Sequence, residues 1–223
     1  MKKSLIFAII FVVLVIAVSQ LRGEDVIEDV TKYKHIKTME VKNEQGQLSD
    51  NVFLLDDTAY WTAWGGIGTH DAQNFWKDLI ILKKRGVKNL WVYLNSPGGS
   101  AYDGLSFADM IKEANKYFNV TVEATGLVAS AAIVILVAGE HRVARSNTIF
   151  MVHLGRIMKF FSEETMKDLE AQRRMMNLVA EMYNGVIKER TKLTLKEISA
   201  YCEKETWFSA KQAKEWGFID EIK

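Results

Sequence analysis

Cysteine and proline are nearly absent from this chain, with Cys202 and Pro97 the sole examples of each. One thiol cannot close an intramolecular disulfide, so no disulfide framework holds the fold, and a lone cysteine most often packs as a small buried hydrophobe. Excess charge is lacking too. Lysine plus arginine number 29 against 28 aspartate plus glutamate, a balance that gives no support to nucleic acid or an anionic membrane surface as partner. Only four histidines are present and none form a His-x-x-x-His pair, so no metal centre is indicated. Neither the Gly-x-x-x-x-Gly-Lys-Ser/Thr loop nor Gly-x-Gly-x-x-Gly occurs where a strand meets a helix, which argues against a nucleotide cofactor. Internal repeats and low-complexity tracts are likewise missing.

What is present begins with an export pattern. Lys2 and Lys3 precede an unbroken apolar run over residues 5–18, followed by mostly polar residues. The run is long for a signal-peptide core and short of the roughly 20 residues that span a bilayer. Ala17 and Ser19 are the small residues a signal peptidase favours, which points to removal, whereas Ile16 and Val18 would extend a short membrane anchor. Residues 1–23 are therefore read as signal peptide or anchor, 24–51 as a charged linker and 52–223 as one domain. The hydrophobic fraction of 48% is enough for a substantial core.

Within that domain, strands alternate with helices. Residues 52–55 form a short apolar run, and Gly65, Gly66 and Gly68 mark a loop before Phe75, Leu79, Ile80 and Leu82 recur at helical spacing. Strands follow at 90–94 and at 120–124, the latter broken by Gly126. A helix carries Leu105, Ala108 and Ile111, and the run 131–138, with no polar residue, predicts a buried helix. Further strands are expected at 142–144 and 148–152. A long amphipathic helix spans about 162–190, its start suited by Ser162 with Glu163 and Glu164. Thr194 with Glu197 makes a capping-box pattern. The alternation predicts an α/β architecture with mostly parallel strands.

Two strand-to-helix junctions could carry chemistry. In Asn95-Ser96-Pro97-Gly98-Gly99-Ser100 the glycines free backbone amides to face an anion at the helix start, although a simple tight turn is the plainer reading. In 126–132, Ser130 stands at the mouth of the apolar helix. It is either an ordinary N-cap or a nucleophile whose accessible hydroxyl lies near amides able to stabilise an oxyanion. A serine needs a base, and His153 stands at a strand end, where active sites gather. His35, His70 and His141 lie in polar stretches and read as solvated.

The order of Asn-Ser-Pro-Gly-Gly at 95–99, Gly-x-x-Ala-Ser-Ala at 126–131, Ala-Gly at 138–139 and Met-Val-His at 151–153, with Trp207-Phe208-Ser209-Ala210 and Gly217-Phe218-Ile219-Asp220 at the close, resembles the proteolytic subunit of the Clp protease. The likeness covers roughly residues 52–222. It implies a ClpP/crotonase-like spiral of strand-turn-helix units with a long protruding helix, and a homo-oligomer built through that helix. It further implies Ser130 as nucleophile, His153 as general base, and the amides of Gly99 and Ala131 as oxyanion hole. The family aspartate position falls on Glu205, one methylene longer, with Glu203 and Tyr201 as nearby substitutes. The export pattern departs from the family's working place beneath an unfolding ATPase, because no ATP is supplied outside the membrane. The expected activity is hydrolysis of unfolded or short peptides, or of membrane-protein segments, outside the cytoplasm, without a cofactor or motor. A catalytically impaired peptide-binding scaffold, and a signal-peptide-peptidase-like or crotonase-like enzyme, are the alternative readings.

Overall fold

The computed structural model describes residues 46–156 and 164–223, and residues 47–223 form one compact unit. The leader read over 1–23 and most of the linker lie outside the described residues. No described helix is long and apolar enough to cross a membrane.

Eight strands join in one sheet: β1 (Val52–Leu55), β2 (Thr58–Trp64), β3 (Asn89–Ser96), β4 (Asn119–Ala129), β5 (His141–Ala144), β6 (Ile149–Val152), β7 (Thr206–Ser209) and β8 (Glu221–Ile222). The main path runs β1-β2-β3-β4-β5-β8, with β6 pairing β4 and β7 pairing β6. Only β1 with β2 and β6 with β7 are antiparallel; the other pairs are parallel, as the strand-helix alternation predicts. The described helices are α1 (Thr69–Lys84), α2 (Ala101–Ala114), α3 (Ala131–Ala138), α4 (Met166–Arg190), α5 (Leu195–Glu203) and α6 (Ala210–Trp216).

Helix α3 follows its sequence directly: every residue from Ala131 to Ala138 is buried. A helix apolar on all faces must be enclosed on all faces, and α3 packs against both α2 and α4. Gly104 of α2 permits one close approach, since a Cβ there would lie 2.8 Å from the Cβ of Ala131. The capping boxes of α4 through α6 use Thr165 with Asp168, Thr194 with Glu197, and Ser209 with Gln212.

Three expectations need correction. The stretch between Asp57 and Gly65, to which the sequence pattern assigns no strand, contains β2. Its buried side is Ala59, Trp61 and Ala63, and two alanines with aromatics on both faces blur the period of two. Gly126 does not end the third strand: β4 continues through it to Ala129. Among the described residues α4 starts at Met166 behind the cap Thr165; Ser162, the expected start, lies outside them.

Candidate functional site

The long strand β4 changes partners along its length. Residues 121–124 pair with β5, and residues 127–129 pair with β6. The change is made at Gly126, whose φ of +62° a side chain rarely tolerates, and at a register shift between Leu94 and Ser96 of β3. Asn95 secures the bend, its Oδ1 accepting the Leu127 amide at 3.1 Å. As a result the carboxyl ends of β3, β4 and β6 meet at one edge, the place where open α/β sheets hold their ligands.

Ser130 follows β4 directly. The register Ala129↔Met151 brings it beside the end of β6, and the Ser130 amide donates to the Met151 carbonyl at 2.9 Å. Its backbone has φ +55° and ψ −125°, and its side chain makes no capping bond. The N-cap reading of this serine is therefore replaced by a sharp, strained turn that presents the hydroxyl outward. The Oγ lies 2.8 Å from Nε2 of His153. The Ser130 carbonyl accepts from the Ile133 amide at 3.0 Å and from the Tyr183 hydroxyl on α4 at 3.0 Å. Tyr183 is a buried residue, and burial raises its phenol well above the ordinary value, so it remains a donor.

The Gly98-Gly99 turn abuts the Ser130 turn. Gly98 has φ +93°, and a Cβ on it would sit 2.6 Å from Cβ of Ser130 and 2.9 Å from the Ala131 nitrogen, so only glycine fits. The turn is held on its far side by Ile67, whose amide donates to Gly98 and whose carbonyl accepts from Ser100. Gly98 is thus packed against Ser130 and Ala131, while Gly99, the next residue, lies against Ile67. Ala131 opens α3, and the first amides of a helix have no carbonyl one turn back to receive them. The arrangement offers a hydroxyl and an imidazole in hydrogen-bond contact beside the start of a helix.

Burial lowers the His153 pKa below its ordinary 6.5, the nearby Arg156 guanidinium lowers it further, and Glu205 opposes both. The ring is neutral at neutral pH. A neutral imidazole accepting from Ser130 at Nε2 carries its proton on Nδ1, and Nδ1 is buried with no hydrogen-bond partner among the described residues.

Glu205 lies next to His153 in register, because β7 pairs antiparallel with β6 and Val152 faces Thr206. Its carboxylate nevertheless bonds Arg156 rather than the ring. Of the two substitutes, Glu203 accepts from Ser199 and Tyr201 stacks on Trp216. Neither contacts His153. His70 and His141 are exposed, as read, and His35 lies outside the described residues.

An apolar pocket of about 40 Å³ adjoins Ser130 and His153, lined in part by Leu154, Met176, Ala180, Tyr183 and Cys202. Cys202 is buried, and desolvation pushes its thiol up to about 11. It is a packing residue, not a second nucleophile at neutral pH. Sequence reasoning missed Tyr183 and Arg156, and neither lies in a motif that could have revealed it.

The family model described as Clp protease matches residues 44–223. The ATP-dependent Clp protease proteolytic subunit 3 of Rhizobium etli is 31% identical over 161 residues, covering 71% of this chain and 80% of that protein. Subunit 2 of Gluconobacter oxydans is 28% identical over 204 residues, covering 89% and 86%. Among solved structures, a ClpP1 mutant from Listeria monocytogenes superposes with a TM-score of 0.66 at 28% identity, covering 74% of this chain and 90% of that one. The chain belongs to the Clp protease family and is, by that membership, a serine-type peptidase.

Proposed function

We propose that this protein hydrolyses peptide bonds in unfolded or short peptides outside the cytoplasm, with Ser130 as nucleophile and His153 as general base. The observation that carries the reading is the 2.8 Å approach of the Ser130 hydroxyl to a neutral His153 at a strained strand-to-helix turn. In the first half-reaction the Oγ proton passes to Nε2 of His153 as Oγ bonds the substrate carbonyl carbon. The charge on the former carbonyl oxygen is met by the amides of Gly99 and Ala131. Collapse breaks the C–N bond, and the imidazolium returns its proton to the leaving amine. Water then attacks the acyl-enzyme, giving a proton to His153, and as the ester bond to Ser130 breaks the imidazolium returns that proton to Oγ and the acid is released.

The apolar pocket beside Ser130 supports an uncharged side chain at the cleaved residue. Among the described residues His153 lines it and no lysine does, which supports a histidine base. The exposed Met166, Leu169, Leu178 and Met182 of α4 support assembly into a homo-oligomer. Location rests on the sequence alone, the lysine-flanked apolar run at residues 5–18, and a motor partner is not expected where ATP is lacking.

One observation favours a second reading, a peptide-binding scaffold with little catalysis: among the described residues His153 Nδ1 has no acceptor, Glu205 being engaged by Arg156. Hydrolysis of fluorogenic short peptides and of unfolded casein by the purified protein separates the two. Turnover that disappears in Ser130→Ala establishes the peptidase, whereas peptide binding without turnover establishes the scaffold.

A further inference from the structure

The register of β6 and β7 places Glu205 beside His153, yet three residues beyond the histidine stands Arg156, and the carboxylate is bonded there. Glu205 is set for this choice. It has a φ of +51°, in the left-handed region that non-glycine residues rarely occupy, and its amide is tied to the Cys202 carbonyl at 3.2 Å. The same carbonyl takes the Leu154 amide at 3.1 Å, so one backbone oxygen holds together the loop after His153 and the turn before β7. The backbones of the two residues are thereby fixed close together, and the carboxylate's direction is decided by side-chain rotation.

Three side-chain states compete for that direction. The Arg156–Glu205 pair is solvent-facing, with Arg156 70% and Glu205 40% exposed, and exposed ion pairs are weakly held. His153 Nδ1 is buried with no partner among the described residues, and an unmade buried hydrogen bond is the more costly state. The imidazolium formed when Ser130 is deprotonated adds a positive charge that the carboxylate would stabilise.

Resting on the Ser-His reading, we propose that Arg156 is a positioning residue that holds the Glu205 carboxylate away from His153 Nδ1, and that releasing this ion pair gives the base its missing acceptor. Arg156 thus throttles the site by occupying the carboxylate that the β6–β7 register sets beside the imidazole. It also acts directly, because a guanidinium near the ring opposes formation of the imidazolium.

The test is a double-mutant cycle on the full chain, using Arg156→Gln, Glu205→Gln and the double variant, read by the rate of fluorophosphonate labelling. Removing a carboxylate that orients a catalytic histidine costs up to about 10⁴-fold where the triad is fully formed. On that scale Arg156→Gln is expected to speed labelling by roughly tenfold, and Glu205→Gln to cost about tenfold more in the Arg156→Gln background than in the native one. Equal costs in both backgrounds, or no acceleration in Arg156→Gln, overturn the proposal. Simple loss of packing would not give this pattern, because it lowers rates in every variant.

A second readout judges the ion pair where no protein in the series is labelled, the outcome that would sink the Ser-His reading itself. The His153 pKa, followed by NMR of histidine labelled at Cε1, rises in Arg156→Gln by Coulomb effects alone. The proposal requires Glu205→Gln to lower that pKa more in the Arg156→Gln background than in the native one. An equal shift in both backgrounds overturns it.

Discussion

Ser130 makes both of its characteristic contacts through atoms that a helix cap would have used otherwise: its hydroxyl goes to His153 and its amide to Met151. Because burial and Arg156 hold His153 below 6.5, the neutral base becomes populated as pH rises through a value under 6.5. Acylation by fluorophosphonate should therefore increase with pH, inflect below 6.5 and be flat near neutrality; an inflection above 7 would show that the ring is not held as described. The same depression has a stability consequence. The unfolded chain takes up the His153 proton first, so this contribution is fully present above about 6.5 and is lost as pH falls below it. Tyr183 offers a second prediction at this scale. Removing its hydroxyl as Tyr183→Phe costs the Ser130 carbonyl one of its two donors, a bond worth about 1 kcal/mol, and should slow acylation by several-fold with little change in peptide KM. An unchanged rate would show that the Ile133 amide alone holds the turn.

At the scale of elements, the motifs legible in the sequence are those set by backbone need. Gly98 is a glycine because a Cβ would collide with Ser130, and α3 was readable because eight apolar residues in succession have only one use. Gly98→Ala is expected to abolish acylation while thermal unfolding stays cooperative, and a variant acylated at the native rate would contradict the geometry of the turn. The less legible elements lack such signatures. Strand β2 hides behind small alanines, and the bend of β4 looks from its glycine like a strand end. Asp78 of α1 gave no signal either, yet its buried carboxylate accepts the Ser49 amide at 2.8 Å and the Trp61 indole at 2.9 Å, tying residues ahead of β1 to the helix. Asp78→Ala leaves those donors unpaired and should destabilise the protein by about 3 kcal/mol, measurable by urea unfolding; a loss under 1 kcal/mol would mean that water replaces the carboxylate at no cost.

For the whole molecule, the α/β class was legible from the alternation of elements, and the pairing of Ser130 with His153 from the spaced motifs that carry the family resemblance. Which carboxylate serves His153 was not, because that is decided by a side-chain rotation involving Arg156. The surface of α4 bears on assembly. Met166 is 75% exposed and Leu178 57%, more apolar surface than a lone helix face in water favours. Sedimentation should find a homo-oligomer, with Leu178→Glu shifting it toward smaller species; an unshifted oligomer would move the interface off this helix. The central claim is that Ser130 is a nucleophile served by His153. Its most direct test is mass spectrometry of the folded protein after fluorophosphonate treatment. The account predicts one adduct per chain, mapped to Ser130 and missing from both Ser130→Ala and His153→Ala. An adduct on another residue, or a folded native protein with none, would contradict it.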